Sequence, residues 1–170
     1  MQRLSVLLLL ALPLLALEVG EPLPTLVLEG KAGGKVDGTP FKSGTLQGKV
    51  TVLFYVDPDK KSLNEAFTEA LHAQHFDRKR YQSVAIINMA ATWMPNFAIA
   101  SALKAKQKKF PDTIYVKDLH KTGVKVWDMK DDDANFAILS KEGRVLYFRA
   151  GKIPKNDYET IFATIRNAMR

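Results

Sequence analysis

The chain has no cysteine in its 170 residues. That absence excludes thiol nucleophiles, disulfides, Cys-ligated zinc, iron–sulfur clusters and the acylated cysteine of a lipoprotein. No apolar run reaches the ~20 residues that a helix needs to cross a hydrocarbon core. A Gly-rich phosphate loop, internal repeats and low-complexity stretches are also missing, and no Ser/His/Asp grouping assembles from the sequence. What remains is the composition of a folded domain: 46% hydrophobic and 25% charged residues exclude wholesale disorder or a fibrous repeat. The length suits one domain, and a domain of ~150 residues buries roughly 70% of its unfolded surface without staples. The 25 Lys and Arg against 18 Asp and Glu give +7, a balance that permits an anionic partner without naming one.

Met1 to Leu17 reads MQRLSVLLLLALPLLAL. Arg3 supplies a positive start, and Leu4 to Leu17 is apolar except for Ser5. The run is too short to span a bilayer and Pro13 interrupts it, so residues 1–17 are expected to be a secretory signal peptide. Ala16 is the one small residue near its end, giving a cut after Ala16 or Leu17, with an uncleaved anchor as the alternative. Removing 1–17 takes out Arg3 alone, lowering the basic residues from 25 to 24 and the net charge from +7 to +6. The expected location is the periplasm, with membrane contact only through the leader. Disulfides form and persist in such a compartment, so a cysteine-free chain there relies on core packing alone.

Residues 18–48 are rich in Gly, Pro and Thr, and read as an extension of short strands and turns, with Gly33-Gly34 and Asp37-Gly38 as turn dipeptides. Residues 49–170 carry stronger patterns. Val50–Val56 and Val84–Met89 are nearly continuous apolar runs, as in strands covered on both faces. Ser62-Leu-Asn-Glu65 resembles a capping box, followed by Leu63, Phe67, Ala70 and Leu71 as a helical stripe. Pro95 opens a second helix to about Lys109, with Ile99, Leu103 and Phe110 on one side. Ile114–Val116 and Val124–Trp127 read as short strands about a turn at Gly123. Phe136–Leu139 and Val145–Arg149 form a hairpin. A last helix after Pro154 carries Tyr158, Ile161, Phe162, Ile165 and Met169 inward. The order predicts an α/β domain: a central mixed sheet, its first strands parallel and its hairpin antiparallel, with helices on both faces.

This element order resembles the thioredoxin-like fold. Leu46–Val56, Arg80–Asn88 and Ala134–Leu146 with its Lys141-Glu-Gly-Arg-Val145 turn are similar to segments of the YtfJ family of exported bacterial proteins. The resemblance implies a periplasmic thioredoxin-like domain and carries over no catalytic residue. Active thioredoxins hold paired cysteines just after the first long strand, where this chain reads Asp57-Pro-Asp-Lys-Lys-Ser-Leu-Asn64. A Ser62 hydroxyl stays protonated and forms no disulfide. They also hold a cis-proline before the hairpin, where this chain reads Asp131-Asp-Asp-Ala-Asn-Phe136. Dithiol chemistry is excluded.

Asp57 and Asp59 follow one strand while Asp131, Asp132 and Asp133 precede another, so both loops are expected to meet at the former redox end, with Lys60 and Lys61 neutralising part of the patch. A solvated acidic loop is the alternative, and the alternating calcium loop is absent. Trp93 sits in a loop at the same end, as a contact anchor or as a cover for the helix start. His72 and His75 share one helix face at a spacing that binds metal, but two ligands do not make a site, and histidines at a helix end suit its dipole. His120 has no evident partner. Lys104, Lys106, Lys108 and Lys109 crowd a helix C-terminus, where the dipole favours cations and an anionic surface would be attracted. Nucleic acid fits poorly with an export signal, and no aromatic ladder supports it. No motif asks for a cofactor.

The expected function is a non-redox binding module for a protein or small ligand of the periplasm, with Asp57, Asp59, Lys60, Lys61, Trp93, Asp131, Asp132 and Asp133 as its surface. The alternatives are a metal- or carboxylate-dependent hydrolase using His72, His75 and the Asp cluster, and an envelope-associated protein binding anionic surfaces through Lys104–Lys109.

Overall fold

The computed structural model describes residues 17–170, so the expected leader lies outside the described residues except for Leu17. A six-stranded mixed sheet organises the chain. Its centre is β4 (Val50–Val56), paired in parallel with β5 (Tyr81–Asn88), which pairs in parallel with β6 (Thr113–Asp118). On the other side, β7 (Ala134–Leu139) runs antiparallel to β4 and forms a hairpin with β8 (Val145–Ala150). The far edge is β2 (Gly33–Lys35), antiparallel to β6. A small second sheet joins β1 (Val27–Leu28) to β3 (Phe41–Lys42).

Alternation along the strands separates two faces. Val50, Val52 and Phe54 point toward α1 (Glu65–His72) and α4 (Tyr158–Ala168), where Phe67 is fully buried against Phe136 and Phe162, with ring centroids at 5.1 and 6.0 Å. α2 (Asn96–Lys109) lies on the same face and buries Ile99 and Leu103 beside Tyr115. Leu53, Tyr55, Val84, Ile86 and Val116 point the other way, toward α3 (Thr122–Trp127) and the N-terminal extension. The thioredoxin-like arrangement of a mixed sheet with helices on both faces is therefore present.

Residues 18–48 are woven into that second face. Leu26, Leu28, Phe41 and Leu46 are buried in one cluster with Trp127, whose indole Nε1 donates to the Pro24 carbonyl at 2.8 Å. Leu17 joins the cluster, and its amide donates to the Trp127 carbonyl at 3.2 Å.

Four local expectations change. Val124–Trp127 belongs to a helix rather than a strand, because the Asp118 carboxylate takes the free amides at its start. Gly33-Gly34 forms an edge strand rather than a turn; a Cβ at Gly33 would lie 1.9 Å from the Lys117 carbonyl oxygen, so only glycine pairs this closely. The capping box is not made: α1 begins at Glu65, and the preceding Asn64 spends its side chain on the Gly151 carbonyl (3.1 Å) and the Ile153 amide (2.9 Å). Leu63 accordingly lies before the helix and outside its stripe.

Candidate functional site

Three apolar parallel strands each end in a polar residue at the same level. Val56 pairs with Ile87 and Asn88 with Asp118, so Asp57, Asn88 and Asp118 stand side by side at the C-terminal edge of the sheet. Their side chains point to the α3 face, and all three residues are buried. Open α/β sheets place ligands beyond this edge.

Asp118 is fully satisfied. Its carboxylate accepts the Tyr55 hydroxyl at 3.0 Å and the backbone amides of His120, Thr122 and Gly123 at 3.1, 3.0 and 2.7 Å. The Tyr55 ring packs edge-on against Trp127, and burial first, then the Asp118 charge, pushes its phenol far above the ordinary range. Gly123 lets α3 approach this ring, since a Cβ there would sit 2.3 Å from a Tyr55 ring carbon. Asp118 is thus structural, a cap for α3.

Asp57 is different. It is 1% exposed, and among the described residues its Oδ2 has no hydrogen-bond partner; the Oδ1 of fully buried Asn88 has none there either. Two orphan acceptors side by side in the interior are costly, because neither can supply the missing proton to the other while Asp57 is ionised. Burial pushes the Asp57 carboxyl up to about 6, the charges of Asp131 and Asp132 add to the rise, and the neighbouring Asn88 amide and the Asp133 backbone oppose it.

The loop before β7 closes over this pair. The Asp57 amide donates to the Asp133 carbonyl at 3.1 Å, and Asn88 Nδ2 donates to Asp131 Oδ1 at 3.3 Å. Lys121 Nζ lies 2.7 Å from Asp131 Oδ2, which holds the Asp131 carboxyl below its usual range and raises the lysine. Burial would raise Asp133, but the Lys130 ammonium at 2.8 Å and the Ala134 amide overcome it and keep it low. Asn135 fixes the loop from beneath, accepting the Lys130 amide at 3.2 Å and donating to the Lys130 carbonyl at 2.8 Å. Asp132 adopts a left-handed backbone with φ 55° and is exposed.

The two Asp loops therefore meet, as the sequence predicts. The Trp93 loop joins them: Thr92 Oγ1 donates to Asp59 Oδ1 at 3.2 Å, and Trp93 itself is 90% exposed. Lys60 and Lys61 lie toward the opposite face of the sheet, at the mouth of a cleft between α1 and α2. His72 and His75 line the same cleft with ring centroids 6.0 Å apart, remote in sequence and place from the Asp loops. Among the described residues, no group of three His, Cys, Asp or Glu side chains is gathered to hold a metal ion. His120 is exposed, and its backbone amide rather than its ring meets Asp118. Lys104, Lys106, Lys108 and Lys109 are exposed along the last turns of α2.

Asn88, Asp118, Tyr55, Asn135 and the exposed Phe97 are part of this end and went unread in the sequence. A usable signal existed: each of the runs Val50–Val56, Tyr81–Ile87 and Thr113–Lys117 stops on an Asp or Asn with the parity of its buried neighbours. A polar residue there, in phase with the core, is a buried strand terminus.

Similarity to known proteins agrees with this architecture. The family described as "Bacterial protein of unknown function (YtfJ_HI0045)" matches residues 26–168. A Haemophilus influenzae protein is 28% identical over 131 residues, 74% of this chain and 70% of that one. Escherichia coli YtfJ is 22% identical over 173 residues, 95% of this chain and 94% of that one. Among solved structures, a candidate thiol:disulfide interchange protein DsbE from Chlorobium tepidum matches with TM-score 0.64 at 20% identity, covering 91% of this chain and 100% of that one. That likeness shows the thioredoxin-like fold alone. With the family match running from the first small strand to the end of α4, the chain belongs to the YtfJ family of bacterial proteins.

Proposed function

We propose that this protein is an exported, non-redox binding module that captures a protein or small ligand at the former redox end of a thioredoxin-like domain. The carrying observation is the buried Asp57–Asn88 pair with two unpartnered oxygens, placed beneath loops that present an exposed Trp93. Each such buried, unpartnered group calls for an explanation, and functional sites are where perturbed buried carboxyls concentrate. Trp93 is the residue type that most often anchors an interface, and Asp59, Asp131 and Asp132 form a polar rim beside it. Export is supported by the apolar Leu4–Leu17 run behind Arg3, and no helix among the described residues is long and apolar enough to cross a membrane.

Site-specific photo-cross-linking from the exposed positions 90 and 97 in intact cells tests the reading. The expected result is a discrete adduct that is lost in Trp93→Ala and in Asp131→Asn, with the circular dichroism of both variants unchanged. An adduct of undiminished yield in both variants removes this surface from the function.

A further inference from the structure

The central strands of a doubly covered sheet are expected to be sealed on both faces. Here β4 and β5 are not. Phe54, Val56, Ala85 and Ile87, all on the α1/α2 face, are only half-buried, while their neighbours on the α3 face are fully buried. The cause is local. α1 has eight residues and ends at His72, and α2 commits only Ile99 and Leu103 to the core, so the two helices stand apart over the middle of the sheet. The gap is a cleft of about 640 Å³, within the ~300–1,000 Å³ of small-molecule sites.

The cleft is long, apolar at its base and basic at its rim. Its floor follows β5 from Tyr81 to Ile87, a length of ~20 Å at ~3.3 Å per residue. Toward Tyr81 the lining carries the His72–Phe110 ring contact, with centroids at 6.4 Å, and the Arg78–Asp112 ion pair at 3.8 Å. The other end opens at Lys60 and Lys61, which follow the end of β4. Lys60, Lys61, Arg78 and Lys106 outnumber Glu69 and Asp112 among the lining residues. Among the described residues, Lys60 and Lys61 at the strand end make no ion pair within 4.0 Å, and Lys106 stands one turn before Phe110 at the opposite end. An apolar trough with two unpaired lysines at its strand end, and with Arg78 at the other end held by Asp112, complements a molecule with an apolar tail and an anionic head.

We infer that this cleft binds a long-chain carboxylate, with the head group at Lys60 and Lys61 and the acyl chain lying along Phe54, Ala85 and Ile87 toward Tyr81. Each methylene taken from water should raise the affinity about fourfold (~0.8 kcal/mol), which makes chain length the main source of affinity and the lysines the source of orientation. The inference goes beyond capture at the strand end, sharing only Lys60 and Lys61 with that surface.

Isothermal titration calorimetry of the purified protein with monomeric hexadecanoate tests it. The expected result is saturable one-to-one binding, weaker by about tenfold or more (each tenfold being ~1.4 kcal/mol) for the uncharged methyl ester. A Lys60→Glu/Lys61→Glu double variant should lose a similar factor, and Ala85→Phe should block the trough; circular dichroism confirms that both remain folded. Should Ala85→Phe fail to fold, decanoate and dodecanoate on the native chain take its place, with affinity rising with each added methylene. Absence of hexadecanoate binding overturns the inference. So does equal binding of acid, ester and variants, which marks nonspecific adsorption, and so does binding seen only with phosphatidylglycerol vesicles, which marks a membrane surface. Trp93→Ala separates the two readings: it should bind hexadecanoate normally while losing the strand-end adduct.

Discussion

Replacing Asp57 with asparagine preserves the shape of a buried side chain and removes its charge. The magnitude follows from the rise of the carboxyl from an ordinary 3.8 to about 6. At ~1.4 kcal/mol for each tenfold change in proton affinity, ionising Asp57 costs the folded state up to ~3 kcal/mol relative to the unfolded chain. The sign is set by the direction of the rise. Below 3.8 the group is protonated in both states and the penalty is absent; as the pH climbs from there through about 6 the folded state loses stability, and above that the full penalty stands. Asp57→Asn carries no charge and avoids it. The variant should gain ~1–3 kcal/mol at pH 7.5, or roughly 2–4 °C in Tm per kcal/mol for a domain of this size, and the gain should shrink to a minor fraction at pH 4. Urea denaturation at both pH values measures it. A variant that is less stable at pH 7.5, or a gain of the same size at pH 4, refutes the reasoning. If Asp57 serves binding, the stabilised variant should also lose the cross-linked adduct, the usual exchange of function for stability.

Tyr55→Phe removes the hydroxyl that Asp118 accepts at 3.0 Å, and should cost ~1.5–3 kcal/mol in chemical denaturation, as expected for a hydrogen bond to a charged group. Gly123→Ala forces a methyl into the Tyr55 ring, which Asp118 and Trp127 hold in place, and should cost ~1–3 kcal/mol. Asn64→Ala orphans the Ile153 amide and the Gly151 carbonyl and should lower stability by ~1–3 kcal/mol, seen as a lower midpoint at an unchanged urea slope. Trp93→Ala, at a position 90% exposed, should change stability by less than ~0.5 kcal/mol, so any loss of capture there reports on contact.

The parts of the fold that were legible are those where apolar periodicity and topology agree. Val50–Val56 and the α4 stripe through Ile161, Phe162 and Ile165 announce themselves because a fully covered strand and a one-sided helix differ in pattern. Val124–Trp127 misleads because the six residues of α3 hold too few turns to show a period, and the decisive group, Asp118, lies outside the helix. The meeting of the two Asp loops was readable from strand order alone. Which aspartate is buried was not: Asp57 and Asp59 are two residues apart, yet one continues the strand into the interior while the other faces water at the Thr92 hydroxyl. The cleft escapes sequence reading altogether, because it arises from the spacing of two helices rather than from any residue in them.

The weave of residues 17–46 into the face beneath α3 dictates an order of assembly. β1 and β3 anchor each other within the segment, but two further anchors come from far downstream: Trp127 for Pro24, 103 residues away, and Arg144 for the Gly20 carbonyl, 124 residues away. β2 likewise waits for β6, and the Leu17 amide for the Trp127 carbonyl. A chain made from its N-terminus can pair β1 with β3 early, but β6, Trp127 and Arg144 follow only in its second half, and such distant contacts fold slowly. The second half of the protein is thus the lock for the first, and the face built by residues 17–46 closes only once β6 and α3 are in place.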